Sequence, residues 1–210
     1  MRRKPLAEQE VAFAVDTIRE SFAYLQTDIP TGMQLHISRA SEKGVGGETD
    51  PKTGDIQLFF RSGPQPAKGL ALSRAAILTS LSGHEALHSV RVIRGLDLRP
   101  CSWSSIVVAE GLASHFQGKT EVKHGFVAES ELPMLIEPVP SEYVDEFVKV
   151  VGIGGHRLLS NVVAHGVNKV GYHVVRRALG DHVSSVPQDY LYRNADFLKL
   201  ITDSTHEATA

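Results

Sequence analysis

The sequence predicts an α+β domain in which a small sheet early in the chain is followed by a mainly helical remainder. Three observations carry this reading. Short stretches of alternating apolar and polar residues fall before residue 62. From about Pro66 apolar residues recur at three- and four-residue intervals, the period of a helix with one buried face. A chain of 210 residues, 42% hydrophobic and 22% charged, has the length and composition of one globular domain.

Taken in order, residues 7–26 form an amphipathic helix. Val11, Val15, Ile18, Phe22 and Leu25 fall on one face, with Glu10, Asp16, Arg19 and Glu20 between them. Asp28 to Gly32 breaks it. Met33, Leu35 and Ile37 alternate with Gln34, His36 and Ser38, predicting a strand over 33–38. The glycines around 44–47 and the run Asp50-Pro51-Lys52-Thr53-Gly54 read as turns, and Asp55 to Phe60 as a second strand. Helices are expected from about Pro66 to Gly95, a C′ glycine, and from Ser104 to Gln117, ended by Gly118. Residues 119–140 read mostly as loop, with helices to follow over 141–151, 156–165 and 168–179. Ser185 with Gln188 resembles a capping box opening a last helix to about Ile201, and 202–210 a frayed tail. The whole is one domain: helix and sheet over about 7–62, active-site helices over 66–118, C-terminal helices over 141–201.

A formal net charge of -2 gives no basic surface for nucleic acid. The short cationic start Met1-Arg2-Arg3-Lys4 reads as a solvated end. One cysteine, Cys101, excludes an internal disulfide framework and fits a reducing compartment. Charged residues interrupt any secretory h-region in the first 25 positions, and no run is long enough to span a bilayer. A cytoplasmic protein without a membrane partner is the expectation.

The chemistry concentrates in His84-Glu85-Ala86-Leu87-His88. Residues four apart share a helix face, so two imidazoles at this spacing can grip one metal ion. Glu85 lies about 100° further round, placed to act as a base beside the metal without being a ligand. In a chain with ten histidines an accidental HExxH is expected about 0.03 times. Two histidines one turn apart on an apolar stripe with Ile77, Leu81 and Arg91 are moreover costly to bury without a shared partner. Position 94, where a third histidine would stand in HExxHxxGxxH, is Arg94. Glu110 is the preferred third ligand, since Ala109, Gly111 and Ala113 beside it let two helices approach closely; Asp97 and His115 are the alternatives.

His84-Glu85-Ala86-Leu87-His88-Ser89-Val90-Arg91, Ala109-Glu110-Gly111-Leu112-Ala113 and Gly171-Tyr172-His173-Val174-Val175 together resemble the YjaZ-like family of predicted zinc-dependent proteases, over roughly residues 30–200. The chain departs from that family at Leu87, where an aromatic or histidine is frequent, and at Val175 and Arg176, where a second glycine often follows. The resemblance implies a zincin-like fold of the gluzincin type and hydrolysis of peptides or unfolded protein segments.

The residues assign His84, His88 and Glu110 to one Zn²⁺ and Glu85 to general base catalysis. Tyr172 or His173 is expected to stabilise the oxyanion, as a later helix does in related zinc peptidases. Arg91 is expected to pair with a carboxylate such as Glu110, to bind a peptide terminus or to form a surface salt bridge. Ser114 is the candidate hydrogen-bond partner of a ligand histidine. The edge of strand 55–60 is a candidate for binding an extended substrate. Rival readings are an amidase or deacylase acting on a small substrate, a zinc-stabilised binding or regulatory protein, and a metal-free helical domain.

Overall fold

The computed structural model describes residues 8–40, 46–61, 74–96, 103–131, 139–152, 166–180 and 184–207. Their order is α1 (Glu8–Tyr24), β1 (Leu35–Ala40), β2 (Gly46–Thr49), β3 (Ile56–Arg61), α2 (Arg74–Ile93) and α3 (Trp103–Lys123). There follow α4 (Ser141–Gly152), α5 (Val167–Leu179) and α6 (Asn194–Glu207), with 3-10 turns at Glu129–Glu131 and Pro187–Tyr190. The fold is α+β, mostly helical with one small sheet. Asp97, Cys101, the cationic residues 1–4, the expected helix over 156–165 and the expected helical residues before Arg74 lie outside the described residues.

The sheet runs β1-β3-β2, with β1 parallel and β2 antiparallel to β3. Met33, Leu35 and Ile37 pack towards the core while Gln34, His36 and Ser38 stay exposed, as the alternation predicts. Ile56 and Leu58 of β3 are fully buried. Two expectations need correction here. Gly46-Gly47-Glu48-Thr49 is a strand and not a turn, because it finds both a partner in β3 and a helix, α2, to pack on. The strand expected over 55–60 is β3, the middle strand of the described sheet, so β1 and β2 occupy both its edges and it has none to offer. The Asp50–Gly54 turn forms as read. Asp50 Oδ1 accepts from the amide of Lys52, and Gly54 sits at φ +77°.

α2 is docked on the sheet by hydrogen bonds as well as by apolar contact. Ser89 Oγ donates to the Gly54 carbonyl (2.6 Å), and Thr49 Oγ1 reaches the Glu85 carboxylate (2.8 Å). The helix closes as predicted at Gly95. There the amide of Leu96 donates to Arg91 O and that of Gly95 to Val92 O, with φ +66° at the glycine.

α3 is the central helix, packed on α2, α5 and α6. Val107, Val108, Leu112, Phe116 and Thr120 are all buried, so it is covered on several faces, as the lack of a single apolar stripe requires. It runs past Gly118 to Lys123, two turns further than expected. The stop falls at Gly125 (φ +68°), where Phe126 N donates to Glu121 O and Gly125 N to Val122 O. Gly118 fails to end the helix because the following turn carries Thr120 and Glu121 into contact with α2, which outweighs a mid-helix glycine costing about 1 kcal/mol.

The small residues of the Glu110 segment do permit a close approach, though its partner is α5 and not α2. A Cβ on Gly111 would overlap the backbone of Gly171, and one on Gly171 would overlap Val107 O. The two glycines singled out in separate motifs are thus the crossing point of α3 and α5.

The last helix also starts elsewhere than the sequence suggests. Pro187–Tyr190 is a 3-10 turn with no side-chain cap, and α6 begins at Asn194. Its carbonyls explain why. Tyr190 O and Tyr192 O are taken by Arg91 Nη1 (2.8 and 3.0 Å) and so are withdrawn from helical pairing.

Candidate metal centre

Leu81, His84, Glu85, His88 and Val92 of α2 form one wall of a cleft of about 540 Å³. β2 supplies a second wall through Gly46, Gly47, Glu48 and Thr49. Ile106, Ala109, Glu110 and Gln117 of α3, with Asn168 of α5, complete it. The cleft-lining positions of α2 run at helical spacing from His84 through His88 to Val92, and Arg91 is not among them.

His84, His88 and Glu110 each offer one donor atom to a common point. His84 Nε2 stands 3.4 Å from Glu110 Oε2, His88 Nε2 3.5 Å from Glu110 Oε1, and the two Nε2 atoms 3.2 Å apart. Ligands about 2.0–2.1 Å from a tetrahedral ion lie about 3.3–3.4 Å from one another, so the Nε2–Nε2 spacing and the distance from each nitrogen to its nearer carboxylate oxygen are each of the length of a tetrahedral edge. The donors fit a metal ion. His84 is buried, while the Glu110 side chain is 28% exposed, which leaves one side of the group open to the cleft. Burial alone would raise the Glu110 carboxyl, but hydrogen bonds and charge from His84 and His88 outweigh it and hold the group well below the ordinary carboxylate range. Glu110 is therefore ionised, the form a ligand requires.

Glu85 is 5% exposed and held from the β2 side. Thr49 Oγ1 donates to its Oε2 at 2.8 Å. Gly47 lies directly against the carboxylate: a Cβ there would overlap Glu85 Cγ and stand 2.6 Å from Oε1. Only glycine leaves this space, and among the described hydrogen bonds none engages Oε1.

The other expected site residues are distributed as follows. Tyr172 is 4% exposed and packs its ring on His115 (centroids 5.9 Å), while His173 stands edge-on to Tyr172; neither lines the cleft. The α5 side chain that does so is Asn168, one turn earlier. Ser114 is buried, and no described hydrogen bond joins it to either histidine. His115 lies outside the donor group. Its Nδ1 lies 3.2 Å from the Tyr190 hydroxyl, and burial pushes its pKa down to about 4.

Arg91 departs from one of its expected roles, the surface salt bridge. Its guanidinium is fully buried and donates to Tyr190 O, Tyr192 O and, at 2.5 Å, Asn194 Oδ1. It anchors the start of α6 and forms no surface salt bridge. Fixed acceptors beneath the helix, supplied about 100 residues later in the chain, decide this.

Sequence reasoning missed Gly47, Thr49, Gln117 and Asn168. For Gln117 and Asn168 a signal existed: the first lies two turns from Glu110, the second one turn from Tyr172 on the motif helix. For Gly47 and Thr49 none existed, because their meeting with Glu85 is a contact between distant segments. A second cavity of about 400 Å³ lies between α1 and the C-terminal half of α3, around Tyr24, Phe116 and Lys119. It lies apart from the donor group, which sits wholly in the larger cleft. No helix among the described residues is long and apolar enough to cross a membrane. Comparison with protein-family models, curated proteins and solved structures finds no match, so the case for function rests on this geometry.

Proposed function

We propose that the protein is a zinc-dependent, zincin-like metallopeptidase in which His84, His88 and Glu110 hold the ion and Glu85 moves the proton. The observation that carries this reading is the His84–His88–Glu110 donor group, its two Nε2 atoms 3.2 Å apart and each 3.4–3.5 Å from one oxygen of the Glu110 carboxylate, with an independently held carboxylate beside it. A two-histidine, one-carboxylate set with an open side is the composition of catalytic zinc sites, whereas structural sites close with four protein ligands. A bound zinc ion would acidify a water and polarise a carbonyl. Glu85 would serve as general base to a water in the cleft and would pass the proton on to the departing amine. Thr49 keeps Oε2 engaged, which leaves Oε1 to accept the proton. β2 borders the cleft as an end strand of the described sheet, and the side of it turned away from β3 suits an extended peptide. This edge favours a peptide over a small amide as the substrate. Other divalent ions also suit these donors, so metal analysis comes first.

The test is metal content of dialysed wild type beside Glu110→Ala, followed by a peptide-library digest of the zinc-loaded wild type. About one zinc per chain, sharply reduced in the variant, with cleavage of library peptides, is the expected result. A chain that neither retains nor takes up zinc would remove the metal centre. Zinc binding with hydrolysis of small amides alone would move the reading to an amidase or deacylase.

A further inference from the structure

We infer that the side-chain carbonyl of Gln117 is a fixed recognition point of the cleft, accepting a hydrogen bond from a substrate N–H about three residues from the scissile bond. The inference rests on the peptidase reading and adds a specificity element to it. Gln117 lies seven residues beyond Glu110 on α3, on the same stripe, and lines the same cleft beside Leu81. Behind it is a buried polar network. The Gln117 amide nitrogen donates to Ser80 Oγ (2.5 Å) and Glu121 Oε1 (3.1 Å), and Ser80 Oγ donates to Glu121 Oε1 (2.6 Å). Ser80 is 6% and Glu121 8% exposed.

This network sets which way the amide points. Ser80 has one hydroxyl proton and gives it to Glu121, so towards Gln117 it can only accept. The carboxylate oxygen likewise accepts. Turning the amide over would place its oxygen against two acceptors, so the nitrogen must face the network and the carbonyl is left to the cleft. No described hydrogen bond occupies that oxygen. The acceptor is thus set in place before any ligand arrives, which reduces the ordering cost of binding.

Its distance from the metal donors gives the register. Seven residues of helix rise about 10 Å, and an extended chain covers that length in about three residues. A peptide lying between β2 and α3 would therefore use the β2 edge along its backbone and meet Gln117 at its far end. A donor there is favoured. A carboxylate or carbonyl would confront an acceptor fixed from behind and be selected against.

The probes are acetohydroxamate, whose hydroxamate chelates zinc, and hydroxamates extended by one to four alanines on either side of the chelating group. Their affinities for zinc-loaded wild type and Gln117→Leu are measured by titration calorimetry. In one of the two series, the step adding the third alanine is expected to tighten binding to wild type about five-fold, one hydrogen bond's worth, and to do nothing in Gln117→Leu. Replacing that alanine by lactate, an ester lacking the N–H, is expected to cost wild type the same factor and leave the variant unchanged. The lactate probe decides the matter even if Gln117→Leu folds poorly, because it leaves the protein untouched. An equal gain in both proteins, or indifference of wild type to the ester, would overturn the inference. Failure of acetohydroxamate itself to bind wild type would instead remove the metal centre, and this inference with it.

Discussion

Two polar clusters lie one helical turn apart on α2, and they are built on opposite principles. Around Arg91 each buried guanidinium contact described is met by a fixed acceptor: two backbone carbonyls and the Asn194 side chain, all from the segment leading into α6. Around His84 and His88 the polar atoms face one another across 3.2–3.5 Å, a spacing that a shared ion would turn into coordination. A polar group whose demands are met by fixed partners is an anchor. A polar group left open towards a cleft is a site. The same helix carries both although Arg91 is only about 20° round from His84 and about 60° from His88; the acceptors before α6, and not the helix spacing, draw its guanidinium into the interior.

Variants on the two sides should separate accordingly. Glu85→Gln is expected to lower kcat by roughly 10²–10⁴ while zinc content and melting temperature stay near wild type. Retained hydrolysis would remove Glu85 as the base and blur the distinction. Arg91→Ala should do the reverse, leaving two carbonyls and an amide oxygen without their donor, beside a cavity. A stability loss of about 3–5 kcal/mol in urea unfolding is expected, with zinc per folded chain unchanged. A variant that keeps its stability but loses metal would place Arg91 in the site after all.

A third comparison uses pH. His115 belongs to the interior that α3 shares with the Arg91 side, facing Tyr190 and Tyr172, with the charges of Asp189, Arg176 and Lys119 acting on it. Its pKa falls from 6.5 to about 4 on folding, so the unfolded chain takes up a proton first as pH drops. Its contribution is complete above pH 6.5 and lost between 6.5 and 4, by about 3 kcal/mol. His115→Gln should flatten the wild-type loss of stability across that window; an unchanged slope would show that other groups produce it. The smallest effect is expected at Thr49. Thr49→Val should lower kcat about ten-fold with KM unaltered, and Thr49→Ser should restore it. Activity kept in Thr49→Val but lost in Thr49→Ser would mean that the methyl group matters and not the hydroxyl.

Much of this was legible in the sequence, and what was not follows a pattern. HExxH placed two donors and a base on one helix because helical spacing is a local property, and Gly95 announced its own C-cap for the same reason. The alternation in 33–38 likewise sorted exposed from buried residues in β1. The reading went astray wherever a distant segment outweighed a local preference. Gly118 could not stop α3 against the contacts of Thr120 and Glu121 with α2. Gly46 and Gly47 became a strand because β3 and Glu85 were there to meet them. The Ser185 region could not open a helix while Arg91 held the carbonyls after it. The sequence alone determined which residues can bind a metal and move a proton, since that chemistry belongs to side chains at fixed local spacing. Tertiary structure decided what no local spacing encodes: that Glu110 reaches the histidines, that Thr49 and Gly47 hold Glu85, and that Arg91 turns inward, each a contact whose energy exists only once separate segments have packed.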